Sequence, residues 1–133
     1  MEWKYVKPLK SEDLISEYEA LVGYQLPEAF KECVRQYNGG RPANRTFDTD
    51  KSQERSLKSF LSFNREDRET VWKTVDCMSK KTVQSYAPFA IDNFGNLICF
   101  DKQNDSVVFL DHESRKTEIA APDFPSFMEA LYE

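Results

Sequence analysis

The chain of 133 residues contains no long hydrophobic run, only 4 glycines and a single histidine. A membrane-spanning helix is not predicted, because no stretch approaches the roughly 20 consecutive apolar residues that it requires. The first residues lack the apolar core of a signal peptide, so we expect a cytoplasmic protein. None of the few glycines stands in a phosphate-binding loop motif, which argues against a nucleotide site.

The chain also has few residues that could carry nucleophilic or metal chemistry. Cys33, Cys77 and Cys99 are odd in number, lie in apolar contexts and form no C-x-x-C pair, which predicts free thiols rather than disulfides. His112 stands in a polar turn, and a lone histidine lacks the partners needed for a zinc site or for nucleophilic catalysis. We therefore predict no catalytic residue, no bound metal and no cofactor.

Hydrophobic residues make up 40% of the chain and aromatic residues 14%, which predicts one folded domain over residues 1–133. The net charge of −5 is unevenly distributed: residues 82–133 hold nine acidic and three basic side chains, a net charge of −6, and residues 1–81 carry +1. This imbalance argues against direct binding of nucleic acid or membrane and favours a basic protein partner. The alternative is a surface that serves solubility.

Two N-terminal segments show the apolar period of amphipathic helices. The first helix is predicted after Ser11 and before Gly23, with an inward face formed by Leu14, Ile15, Tyr18, Leu21 and Val22. The second is predicted to begin near Pro27, with an inward face formed by Leu26, Phe30, Cys33, Val34 and Tyr37. We expect it to end at Asn38-Gly39 in a left-handed cap.

The remaining chain is predicted to be mainly strands. Thr46–Asp48 and Ser56–Phe63 are predicted strands near the sheet edge, and a helix capped by Asn64 or Asp67 is predicted to run to about Lys80. Apolar runs separated by turn residues then predict strands over 87–91, 97–100, 107–110 and 115–120, before a C-terminal helix. This order favours an α+β fold with a single, mainly antiparallel sheet flanked by helices.

Four segments together resemble a known family. They read L-P-E-A-F-K-E-C-V-R-Q-Y-N-G-G-R-P from Leu26, P-F-A-I-D-N-F-G-N-L-I-C-F-D from Pro88, V-V-F-L-D-H-E from Val107 and D-F-P-S-F-M-E-A-L from Asp123. In order and spacing the chain resembles the SUKH superfamily, the Smi/Knr-type proteins. The resemblance implies a SUKH-like α+β fold and a non-enzymatic role. Many bacterial members are immunity proteins that neutralise a cognate toxin, often a nuclease, and eukaryotic members are regulatory interaction proteins.

The resemblance supplies structural roles rather than a catalytic set: Pro27, Asn38 and Gly39 as helix boundaries, and Asp92 and Gly95 as turn residues. We expect the partner, a basic toxin domain, to contact exposed carboxylates of the hairpin region and two aromatic anchors, namely Asp92, Asp101, Asp105, Asp111, Glu113, Phe94 and Trp72. Core packing is the competing interpretation for both aromatic residues.

Two other functions remain open from the sequence. Asp92, Asp101 and Asp111 each follow a predicted strand, so a pair of them in a deep pocket would suit a small-ligand or carbohydrate-processing domain. Such a site requires at least two carboxylates with shifted pKa values. The other alternative is a regulatory scaffold that has no toxin partner.

Overall fold

The computed structural model describes residues 1–133. Its five helices are α1 (Asp13–Val22), α2 (Glu28–Tyr37), α3 (Val71–Cys77), α4 (Lys80–Ser85) and α5 (Phe124–Ala130). Its nine strands are β1 (Trp3–Lys4), β2 (Arg41–Pro42), β3 (Thr46–Phe47), β4 (Arg55–Ser56), β5 (Ser59–Phe60), β6 (Tyr86–Ile91), β7 (Leu97–Asp101), β8 (Val107–Leu110) and β9 (Thr117–Ala121). None of the helices has the length and apolar character required to cross a bilayer.

The central element is a five-stranded antiparallel meander in the order β5-β6-β7-β8-β9. Each strand pairs with its neighbour in sequence, as in the register that places Ile98 opposite Phe109. Two further two-stranded pairs, β1-β2 and β3-β4, lie outside this sheet. The predicted α+β class with a main antiparallel sheet is confirmed, and the two small pairs are additions that the sequence analysis did not foresee.

Both faces of the central strands are buried, as their nearly continuous apolar runs predict. Side chains alternate between the faces because successive residues of a strand point in opposite directions. The first face belongs to the main core and presents Ala87, Phe89, Ile98, Phe100, Val107 and Phe109. The second face forms a smaller cluster of Leu97, Cys99, Val108 and Leu110, against which Met78 and the half-buried Ile91 pack.

Aromatic rings join the helices to the first face of the sheet. The ring of Phe30 on α2 lies 5.1 Å from that of Phe89 and 5.2 Å from that of Phe100, measured between ring centroids. Phe124 on α5 meets the same Phe30 ring at 5.2 Å. These edge-to-face contacts add to the burial of large apolar surfaces. The helices α2 and α5 are thereby fixed over one face of the meander.

Helix α1 follows the predicted period with one exception. Ile15, Tyr18 and Val22 are buried, whereas Leu21 is 53% exposed and does not belong to the inward face. The phenol of Tyr18 donates a hydrogen bond of 2.7 Å to the carbonyl oxygen of Pro88, at an irregularity in the pairing of β6 with β7. This bond ties α1 to the central sheet.

Helix α2 ends where predicted but not in the predicted conformation. Its C-cap, Asn38, is extended (φ −46°, ψ 128°), and only Gly39 has a positive φ of 68°. The amide of Gly40 donates to the carbonyl of Tyr37, so these residues form a type II turn rather than a left-handed cap. The extended conformation turns the Asn38 side chain inward, where it accepts from the amide of Phe63 and donates to Ser62.

The segment between α2 and α3 differs most from the predictions. The predicted strand over Ser56–Phe63 is divided, because β4 pairs with β3 and β5 pairs with β6 of the main sheet. The predicted helix is two helices, capped by the side chains of Thr70 and Ser79 and separated by the extended Met78. Asn64 caps neither helix; its side chain instead bonds the backbone of residues 8 and 10.

Phe109→Ala tests the importance of the buried sheet face. Phe109 is 1% exposed, so we expect the truncation to lower the free energy of unfolding by roughly 3–5 kcal/mol. Ile119→Ala at the exposed position of β9 is the matched control and should change it by less than about 0.5 kcal/mol. Urea denaturation of both variants measures the difference, and similar midpoints would contradict the assigned core.

Candidate functional site

The meander places the predicted contact residues at two opposite ends of the sheet. The turns over residues 92–96 and 111–116 lie together at one end, which we call the turn end. The turn over residues 102–106 lies at the other end. The five residues of β7, at about 3.3 Å each, separate the two ends by roughly 16 Å. The predicted carboxylates therefore do not form one continuous surface.

At the turn end, Asp92 organises the backbone instead of facing a partner. Its Oδ1 accepts hydrogen bonds of 2.8 Å from the amides of Phe94 and Asn96, and its Oδ2 accepts from the Asn96 side chain at 3.0 Å. Asp92 is only 7% exposed. The expectation that this carboxylate is exposed was wrong, because the tight turn uses it to satisfy the turn's own donors.

The same turn presents an aromatic side chain to solvent. Phe94 is 78% exposed, and its amide is held by Asp92. A second contact fixes the turn to its neighbour, since Asn96 Oδ1 accepts from the amide of His112 and lies 2.8 Å from His112 Nδ1. The backbone at Phe94 is thus constrained, which lowers the backbone entropy lost when this residue becomes buried in an interface.

The second turn of this end carries the other two predicted carboxylates. Asp111 Oδ1 accepts from the amides of Ser114 and Glu113, and these two hydrogen bonds hold the pKa of the Asp111 carboxyl below its usual value. The side chain of Glu113 is 84% exposed and lies 3.7 Å from His112 Nε2. Glu113 is therefore the predicted carboxylate of the turn end that is most available to a partner.

Asp101 and Asp105 lie at the opposite end of the sheet. Asp101 Oδ1 accepts from the amide of Gln103, and Asp105 Oδ1 accepts a 2.6 Å hydrogen bond from the phenol of Tyr24. Burial raises the pKa of Tyr24, and the bond to Asp105 raises it further. Asp105 is thus exposed, but its carboxylate is already bound to Tyr24 and connects the segment after α1 to the sheet.

Trp72 is placed among packed residues. Its indole N–H donates to the carbonyl of Phe63 at 2.9 Å, and its ring meets that of Tyr18 edge-on at 5.7 Å. The guanidinium of Arg65 lies 3.7 Å from the centroid of the Trp72 ring. These contacts favour the core-packing interpretation of Trp72, while Phe94 keeps its exposed position.

Sequence reasoning missed a groove beside the turn end, which we call the side groove. It has a volume of about 450 Å³ and lies between α3 and the second face of the sheet. Its apolar lining includes Met78, Ile91, Leu97 and Leu110, and its basic lining consists of Arg68, Lys73 and Arg115. The basic residues come from two distant segments, so no local sequence signal predicts that they meet.

The side groove does not assemble the carboxylate pair that the carbohydrate-processing alternative needs. Of the three strand-end carboxylates, only Asp111 lines it. A general acid needs a raised pKa, but the hydrogen bonds from Ser114 and Glu113 lower that of Asp111. The other acidic lining residue, Glu69, is paired with Lys58 at 3.0 Å. No group of three His, Cys, Asp or Glu side chains is arranged to hold a metal ion.

The family model SUKH_6, described as SMI1-KNR4 cell-wall, matches residues 12–128. The chain belongs to the SUKH superfamily. SUKH proteins are generally non-enzymatic immunity or regulatory proteins, and members commonly bind toxins. No curated protein shows significant similarity to this SUKH domain. The match includes α1 to α4 and the whole of the central sheet, so both the turn end and the side groove lie within the family domain.

Asp92→Ala tests the positioning role of the buried carboxylate. The substitution leaves the amides of Phe94 and Asn96 without their acceptor, so we expect the free energy of unfolding to fall by about 1–3 kcal/mol. Asp92→Asn is the matched control, because its amide oxygen can still accept from both amides and the loss should be smaller. Chemical denaturation gives the stabilities, and hydrogen exchange reports how well the amides of Phe94 and Asn96 are protected. Equal losses in the two variants would contradict this role.

Proposed function

We propose that this SUKH domain is an immunity protein of the bacterial cytoplasm that binds and neutralises a cognate toxin domain without catalysing a reaction. The observation that carries the proposal is the exposed Phe94 on a turn held by the buried Asp92. Exposed aromatic residues on rigid backbone commonly supply much of the energy of a protein interface. Membership of a superfamily whose members often act as immunity proteins supports the same function.

The turn end is the contact surface in this proposal. Phe94 supplies the aromatic anchor, Glu113 supplies an exposed charge, and Asp92 and Asp111 hold the two turns in shape. Asp101, Asp105 and Trp72 lie away from this surface and have other contacts. A toxin that covers the turn end can be held without first ordering a flexible loop, and that reduces the entropic penalty of binding.

The net charge of −5 supports a basic toxin at long range. At short range, the acidic side chains of residues 82–133 are less available for direct contact with a partner than the sequence indicates. Glu118 is paired with Arg55 at 2.9 Å, Asp123 caps α5, and Asp92 is buried. A basic partner is therefore attracted by the whole molecule rather than by a continuous acidic patch.

The direct test is co-expression of the protein with the polymorphic-toxin domain encoded next to its gene, followed by pulldown. Restored growth together with a stable complex supports the immunity function. Absence of such a neighbouring toxin, or a toxin that kills equally in its presence, would instead favour the regulatory scaffold.

Phe94→Ala tests the aromatic anchor. Loss of a central aromatic contact typically reduces the binding free energy by about 2 kcal/mol, so we expect the dissociation constant for the toxin to rise roughly 30-fold. Leu21→Ala is the matched control, because Leu21 is also an exposed apolar residue but lies on α1. Calorimetry or surface plasmon resonance measures both constants. An unchanged constant for Phe94→Ala would exclude the turn end as the contact surface.

Charge reversals at the two ends of the sheet test the orientation of the complex. Glu113→Lys at the turn end should slow association with a basic toxin strongly at low salt and weakly at high salt, because ions screen such steering. Asp105→Lys makes the same charge change about one strand length away and should have the smaller effect. Stopped-flow association rates provide the measurement, and a larger effect of Asp105→Lys would place the interface at the opposite end.

A further inference from the structure

The side groove combines an apolar wall with basic groups that have no acidic partner. The arginine ion pairs of the chain involve Arg35, Arg55 and Arg65, and neither Arg68 nor Arg115 takes part in one. Both arginines line the groove and are exposed. Unpaired guanidinium groups beside an apolar surface are suited to carboxylates carried by an apolar ligand.

The acidic lining residues only partly offset the basic ones, since Arg68, Lys73 and Arg115 together with Glu69 and Asp111 give the lining a net charge of +1 with His112 neutral. Glu69 Oε1 is engaged by Lys58 at 3.0 Å, and Asp111 accepts hydrogen bonds from the backbone of its own turn. The third basic residue, Lys73, donates to the backbone carbonyls of Asp67 and Arg68, which precede α3, and its side chain also lines the groove. The local charge of the groove is thus opposite in sign to the net charge of −5 on the whole chain.

Because the groove also has an apolar lining, a matching ligand carries apolar side chains in addition to carboxylates. Leu97 and Leu110 line the groove but are 7% and 4% exposed, so the apolar surface that remains accessible belongs mainly to the half-buried Met78 and Ile91, which pack against them. A groove of about 450 Å³ falls within the usual range of ligand sites. Aliphatic side chains of a bound segment would cover the exposed parts of Met78 and Ile91.

We propose that the side groove binds a peptide segment of a protein partner that carries acidic and leucine-like side chains, with its carboxylates on Arg68 and Arg115 and its apolar side chains against Met78 and Ile91. The proposal rests on charge complementarity and does not depend on the partner being a toxin. Nucleic acid is a poorer occupant, because a phosphate backbone has no apolar side chains to place against Met78 and Ile91, and its higher charge density is repelled more strongly by the net charge of −5.

The chain contains a reporter for this site. Cys77 lines the groove and is exposed, whereas Cys33 is half-buried and Cys99 is buried. Burial raises the pKa of Cys33 to about 12 and also raises that of Cys99, so neither thiol is reactive near neutral pH. Iodoacetamide should therefore modify Cys77 selectively, and a peptide in the groove should protect it.

The experiment uses the full chain and three fluorescent synthetic peptides with alternating Leu and Glu, Leu and Lys, or Ser and Glu. We expect only the Leu–Glu peptide to slow alkylation of Cys77, as followed by mass spectrometry, and to bind in fluorescence polarisation. Weakening of this binding by added salt is also expected. No protection at millimolar peptide, equal protection by the Leu–Lys peptide, or tighter binding of a single-stranded RNA would overturn the proposal.

Charge reversals locate the binding site. Arg68→Glu and Arg115→Glu should each weaken binding of the Leu–Glu peptide at least tenfold. Lys116→Glu is the matched control, because Lys116 neighbours Arg115 and is exposed but does not line the groove. Equal losses in all three variants would indicate nonspecific charge attraction and refute the site. Toxin rescue is scored separately, so peptide binding without rescue would contradict the immunity function and leave the groove proposal supported.

Discussion

The fold depends on burial of one face of the central meander under a cluster of phenylalanine rings. Phe30 of α2 and Phe124 of α5 meet Phe89 and Phe100 of the sheet at centroid distances between 5.1 and 6.1 Å. Burial of apolar surface is the dominant favourable contribution to folding, and each of these rings removes a large apolar surface from water. The turns that join the strands are positioned by this layer, and the turn end is therefore a rigid extension of the core.

A second layer of structure is polar and joins segments that are distant in sequence. The Asn38 side chain donates to the carbonyl of Lys7 and accepts from the amide of Phe63, so it connects the N-terminal segment to the chain before α3. Tyr18 similarly connects α1 to β6 through Pro88. Buried polar groups need such partners, because an unsatisfied donor or acceptor in the interior destabilises the fold. No buried side-chain nitrogen or oxygen lacks a hydrogen-bond partner here.

The net charge of the whole chain and the local charge of the side groove are opposite in sign. The whole chain is acidic, with a net charge of −5, and attracts basic molecules at a distance. The side groove is basic because Arg68 and Arg115 are unpaired, whereas many acidic side chains are used in caps, turns and ion pairs. Charge counted along the sequence therefore describes long-range attraction well but describes a contact surface poorly. In a SUKH domain that binds protein, the two features would act at different stages of recognition.

The sequence by itself determined the elements whose signals are local. The periods of α1 and α2, the turn around Gly95, the strands β6 to β8 and the C-terminal helix all follow from neighbouring residues, and together with the family motifs they specified the α+β SUKH fold. Tertiary structure decided what depends on distant segments. It divided the predicted strand over Ser56–Phe63 between two sheets, because Ser56 pairs with β3 whereas Ser59 and Phe60 pair with β6. It also buried Asp92, separated Asp105 from Glu113 and brought Arg68 beside Arg115, since strand direction and helix packing, not spacing along the chain, set which side chains share a surface.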